Sequence, residues 1–209
     1  MHIYAFGSVC RGDISPDSDV DLLAIVDGYD ARLTADCYSI YSYQRICELW
    51  HEGNPFAWHL SLESKLLFSS NSFDLFQSMG APMEYRHGNR DCEKFYALFR
   101  EARRSIYEND LSTAFDLSTI FLAIRNIATC FSLGILRMPT FSRHAARQLG
   151  EHSLSIPEAP YTVLERARIL CTRGLGDAII QDEVNSVRSH IPFIDEWMKA
   201  LIVEAQRHA

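Results

Sequence analysis

Apolar residues fall into short runs at the start of the chain and into helical stripes after it. His2-Ile3-Tyr4-Ala5-Phe6 reads as a short strand closed by Gly7, and Val20 to Val26 as a second, closed by the turn Asp27-Gly28-Tyr29-Asp30. From Ala31 to Glu52 the spacing is helical, with Cys37, Ile40, Tyr41, Ile46, Leu49 and Trp50 inward, and Gly53-Asn54-Pro55 stops it. Phe56 to Leu62 then alternates. Trp58, Leu60 and Leu62 lie on one side and His59, Ser61 and Glu63 on the other, which predicts a third strand with one buried face. A short amphipathic piece over 73–79 ends at Gly80-Ala81-Pro82.

A polar, turn-rich stretch over 83–90 separates this region from one that reads helical throughout. Phe95, Leu98, Phe99, Ala102 and Ile106 form one stripe, and Leu117, Ile120, Phe121, Ile124, Ala128 and Phe131 a longer one ending near Gly134. Pro139, Pro157 and Pro160 bracket a shorter helix over Phe141–Leu149. Tyr161–Arg173 and Asp177–Ala209 supply the last helices, with Pro192 kinking or splitting the final one. The fold class is therefore α+β: a small mixed β-sheet lobe over residues 1–85, then an α-helical bundle over 86–209.

Composition narrows the picture. A hydrophobic content of 47% over 209 residues suffices for one large core or two modest ones. No signal-peptide pattern is present, and no apolar run is expected to reach the roughly 18–20 residues of a membrane span. The six cysteines are scattered without a C-x-x-C pair, as reduced thiols would be, so a cytoplasmic location is expected. The histidines show no zinc-ligand spacing. A formal charge of −7 argues against a sequence-blind grip on nucleic acid and suits a cationic or protein acceptor better.

The chemistry concentrates in Gly7-Ser8-Val9-Cys10-Arg11-Gly12 and Ser18-Asp19-Val20-Asp21-Leu22-Leu23. Asp19 and Asp21 stand at i and i+2 of a strand, so their carboxylates share a face, with Cα atoms roughly 7 Å apart. Two acids so close repel unless a cation lies between them, and hard ions such as Mg²⁺ take carboxylate and phosphate oxygens. The glycine turn lets backbone N–H groups and the Ser8 hydroxyl approach an anion.

This pairing of a Gly-Ser turn with an acid–apolar–acid strand resembles the DNA polymerase β-like nucleotidyltransferase superfamily. Gly-Ser-x-x-Arg-Gly is similar to the version in its minimal and antibiotic-modifying members. The resemblance covers residues 2–27 at motif strength. It implies transfer of a nucleoside monophosphate from a nucleoside triphosphate, with ATP as the expected nucleotide, to an acceptor hydroxyl. Gly7, Ser8 and Arg11 would meet the phosphates, and Asp19 and Asp21 would hold two Mg²⁺ ions. Such sites want a third carboxylate to bind metal or take the acceptor's proton; Glu63 is the candidate, and His59 the alternative base.

The acceptor stays open between a small molecule such as an aminoglycoside and a protein. The resemblance also implies a homo-oligomer or a toxin–antitoxin partner. A non-catalytic nucleotide-binding module, a nucleotidyltransferase-type antitoxin and a tRNA-modifying enzyme are the rival readings. Arg125-Asn126 lies in an otherwise apolar helix and needs a partner or a cleft. It resembles the Arg-Asn of HEPN domains, but Cys130, Phe131 and Ser132 stand where their histidine belongs. The expected acceptor site is a groove between the two lobes.

Overall fold

The computed structural model describes residues 1–13 and 20–208. The chain divides into two compact units, Met1–Arg86 and His87–Ala209.

The first unit is built on a mixed four-stranded sheet of order β3-β2-β1-β4, with β1 His2–Phe6, β2 Asp21–Val26, β3 Ser39–Ser42 and β4 Ser64–Ser69. β1 runs antiparallel to both β2 and β4, and β3 is parallel to β2. Alternation sends Tyr4, Phe6, Leu23 and Ile25 to one face. There they pack on Ile46, Leu49 and Trp50 of α2 (Tyr43–His51), on Ala57 and Leu60 of α3 (Pro55–Glu63), and on Phe76 of α4 (Leu75–Met79). Tyr4 stacks on Phe76 at 4.1 Å between ring centres, and Trp50 stacks on the same ring at 4.7 Å. The Trp50 indole N–H donates to Gly80 O. Gly53 has φ +61°, and a Cβ there would lie 2.4 Å from Met83 O, so the chain after α4 crosses directly over a residue that must be glycine.

Two expectations fail here. The helix expected from Ala31 begins only at Tyr43, because Ser42 caps it by accepting from Arg45 N at 3.1 Å. Residues 31–38 are turns and irregular chain, and Ser39–Ser42 is the edge strand β3. The strand expected over 56–62 is the helix α3. Asn54 accepts from Phe56 N at 2.9 Å and Pro55 occupies the first helical position, so a signal read as a stop is also a start. Apolar residues on several faces of α3 (Ala57 and Leu60 buried, Leu62 exposed) imitate a period of two. The strand next to β1 is β4, which follows α3 immediately.

The second unit is a bundle of α5 (Gly88–Glu108), α6 (Thr113–Phe131), α7 (Glu158–Arg173) and α8 (Gln181–Arg207). α6 is buried along most of its length. With its π-helical extension, Thr113–Leu136 is long and apolar enough to cross a membrane by length and composition, contrary to the sequence expectation. In the bundle 61% of its 18-residue apolar window is buried, so its apolar surface is used against its neighbours. Arg125 is half-buried on α6, and its charge is felt at the buried Tyr161 phenol of α7.

The helix expected over 141–149 is replaced by single 3₁₀ turns at Ala145–Arg147 and Gly150–His152. Ser142 Oγ accepts from His144 N and Ser153 Oγ from Leu149 N, so side chains take the backbone bonds that would have propagated a helix. α8 runs unbroken through Pro192. A proline removes the bond to the carbonyl four residues back, here Arg188 O. The Tyr107 hydroxyl of α5 donates to that oxygen at 2.9 Å. The proline is tolerated because a neighbouring helix satisfies the acceptor it abandons.

Candidate active site

β1 ends at Phe6, and Gly7 turns the chain with φ 80° and ψ −143°, a conformation open essentially to glycine alone. A single helical turn, α1 (Ser8–Arg11), follows. Its first N–H to bond back is that of Cys10, to Gly7 O at 3.1 Å, and Gly12 closes it in the left-handed region at φ 82°. Asp13 N returns to Ser8 O at 3.0 Å. The turn is held from the other side by Gly7 N donating to Glu63 O at 3.2 Å.

Asp21 opens β2 opposite Phe6 and shares a face with Leu23 and Ile25. Its carboxylate lies directly against the turn: a Cβ on Gly7 would be 2.8 Å from Asp21 Oδ2. Gly7 is thus required twice, by its φ and by the space its missing side chain leaves to a carboxylate. This cradle fits the expected metal and phosphate chemistry, since it puts an anionic oxygen beside backbone that a phosphate can approach. Asp19 and Ser18, the other acidic-motif residues, lie outside the described residues.

Glu63 ends α3 rather than a strand, so its expected alternation with Trp58 and Leu60 does not apply. His59 and Glu63 stand at i and i+4 of one helix and meet: His59 Nε2 lies 3.0 Å from Glu63 Oε2. Arg11 Nη1 donates to the same oxygen, and Arg11 Nε donates to Asp13 Oδ2 at 3.0 Å. The imidazole also packs edge-on against Phe6 and Phe56. Burial alone would raise the Glu63 pKa, but the hydrogen bonds from His59 and Arg11 outweigh it and hold the carboxyl below its ordinary value. Arg11 is likewise held charged against its burial by Asp13 and Glu63.

The turn, Asp21, Arg11 and Glu63 are therefore brought to one end of the sheet. Asp21 approaches from the β2 side of β1, and Glu63 from the β4 side. Among the described residues no group of three or more His, Cys, Asp or Glu is placed to hold a metal ion. Asp13 is the participant that sequence reasoning missed, although its position two residues after Arg11 is a local signal. The four-residue spacing of His59 and Glu63 was an equally readable sign of a helix.

The profile of the nucleotidyltransferase domain family matches residues 2–79. That segment is a nucleotidyltransferase domain, in keeping with the polymerase β-like pattern of its turn and acidic strand. No curated protein and no solved structure gives a significant match to the chain.

Proposed function

We propose that the chain is a Mg²⁺-dependent nucleotidyltransferase that moves a nucleoside monophosphate from a nucleoside triphosphate, ATP in the first instance, to an acceptor hydroxyl. The observation that carries this is the Asp21 carboxylate resting in the space left by Gly7. The Ser8 hydroxyl and the N–H groups opening α1 would donate to phosphate oxygens, and the Arg11 fork would offset their charge. Asp21, with Asp19, would hold the metal; when bound, it would supply charge neutralisation at the α-phosphate. The acceptor hydroxyl would lose its proton to solvent as its oxygen forms a bond to the α-phosphorus and the bond to pyrophosphate breaks, and rate would come from alignment and electrostatics. A net charge of −7 favours a cationic small acceptor such as an aminoglycoside, or a protein, over nucleic acid.

Calorimetry with ATP tests the reading: binding should require Mg²⁺ and be lost in Asp21→Ala. Equal affinity with and without metal would refute it. Labelled nucleoside triphosphates offered with a panel of aminoglycoside and protein acceptors would then identify the product. A second reading, a nucleotide-binding module that transfers nothing, is favoured by one observation. Glu63, expected as the third carboxylate, is engaged by Arg11 and His59. Metal-dependent ATP binding without a labelled product from any acceptor would establish it.

A further inference from the structure

We propose that Glu63 is a positioning residue for Arg11 and not a ligand of the metal: it holds the guanidinium at the Gly7 turn, where a triphosphate would meet it. The inference rests on the reading of residues 2–79 as a nucleotide-binding lobe.

Glu63 grips the turn twice. Its carbonyl accepts from Gly7 N at 3.2 Å, and its carboxylate accepts from Arg11 three residues after the turn's serine. His59 Nε2 also lies 3.0 Å from the same Oε2, so a neighbouring side chain of α3 flanks the carboxylate. On the other edge of the guanidinium, Nε is held by Asp13 at 3.0 Å. A planar fork held at two of its nitrogens has a set orientation. Among the described residues this leaves Nη2 to meet an anion, and little rotamer entropy remains to be lost when one binds.

The alternative, that Glu63 joins Asp21 around a metal, asks for another arrangement. On β4 the residues that share the face of Phe6 and Asp21 are Ser64 and Leu66, and neither is acidic. Glu63 precedes them on the far side of β1 from Asp21. Metal coordination through Oε2 would have to displace Arg11, which donates to that atom, and His59, whose Nε2 lies 3.0 Å from it. Asp21, Glu63 and His59 are not grouped closely enough to hold an ion.

The experiment is a double-mutant cycle in Mg–ATP affinity, read by calorimetry on the full chain at several Mg²⁺ concentrations. Arg11→Ala and Glu63→Gln should each weaken binding about 10-fold, as expected for losing a charged hydrogen bond. The double variant should be no weaker than the worse single, because Glu63 acts only through Arg11. The Mg²⁺ needed for half-maximal binding should be unchanged by either. Glu63→Asp, which keeps the charge at shorter reach, should recover part of the affinity in the Arg11 background and none in the Arg11→Ala background. It carries the same cycle if Glu63→Gln lowers the folded fraction. Multiplicative losses, or a higher Mg²⁺ requirement in Glu63→Gln alone, would overturn the proposal and leave the nucleotidyltransferase reading standing. A wild-type protein that binds no Mg–ATP would overturn both.

Discussion

Gly7→Ala isolates the contact on which the site is built. Alanine at φ 80°, ψ −143° occupies backbone space that side-chain-bearing residues avoid, a strain of about 3 kcal/mol at the top of the usual range. The added Cβ would also stand 2.8 Å from Asp21 Oδ2, well inside van der Waals contact, so the carboxylate must move. Displacing it should add about 1–2 kcal/mol, the scale of an overpacked site. Gly12→Ala is the control: its φ is 82°, but nothing lies within 4 Å of the added carbon, so only about 1 kcal/mol of left-handed strain is expected. Urea denaturation measures both, with Trp50 and Trp58 reporting the first unit. In an Asp21→Ala background, Gly7→Ala should cost about 1–2 kcal/mol less than in wild type, because the opposing oxygen is gone. Mg–ATP affinity should fall in Gly7→Ala and hold in Gly12→Ala. Equal costs of Gly7→Ala in the two backgrounds would refute the close approach of Asp21 to the turn.

Two further outcomes test the bundle. Tyr107→Phe leaves Arg188 O without the donor that replaces the missing Pro192 N–H, and should lower stability by about 1 kcal/mol in urea denaturation; no change would mean that water serves that carbonyl equally well. Asp195 is buried, accepts from Tyr96 (3.0 Å) and Lys199 (2.6 Å), and forms an ion pair with Arg103 at 3.0 Å. Burial alone would raise its pKa, but the hydrogen bonds from Lys199 and Tyr96 and the nearby Arg103 hold it below the ordinary aspartate value. A depressed folded pKa means that protons favour the unfolded chain, so this contribution is complete above the ordinary value and is lost as pH falls through the folded one. Asp195→Asn should therefore cost about 2 kcal/mol near neutrality and flatten the acid side of the stability profile. An unchanged acid slope would show that other carboxylates set it.

The turn, the acidic strand and the amphipathic stripes were legible because each is local: Gly7-Ser8, Asp21 and the stripe of α6 depend on neighbours within a few residues. The same holds for the mixed α+β class, which follows from a change of period along the chain. Elements between Ala31 and Ser69 were misread where local signals compete. Gly53-Asn54-Pro55 ends one helix and begins the next, and an all-round apolar helix such as α3 has no stripe to announce it. β4 became a strand because β1 offered it a partner, and no pattern within Ser64–Ser69 states that.

What only the tertiary structure decided are the pairings across long stretches of chain. Glu63 meets Arg11 from 52 residues away, which ties the end of α3 to the turn after β1. Tyr107 rescues a carbonyl 81 residues distant, which lets α8 pass through a proline. Asp21 reaches the empty side of Gly7 only because β1 and β2 are paired in this register. A sequence states which groups need a partner, since a buried charge or an abandoned carbonyl is costly anywhere. Which partner arrives depends on the register and packing that bring distant segments together, and those are properties of the folded chain.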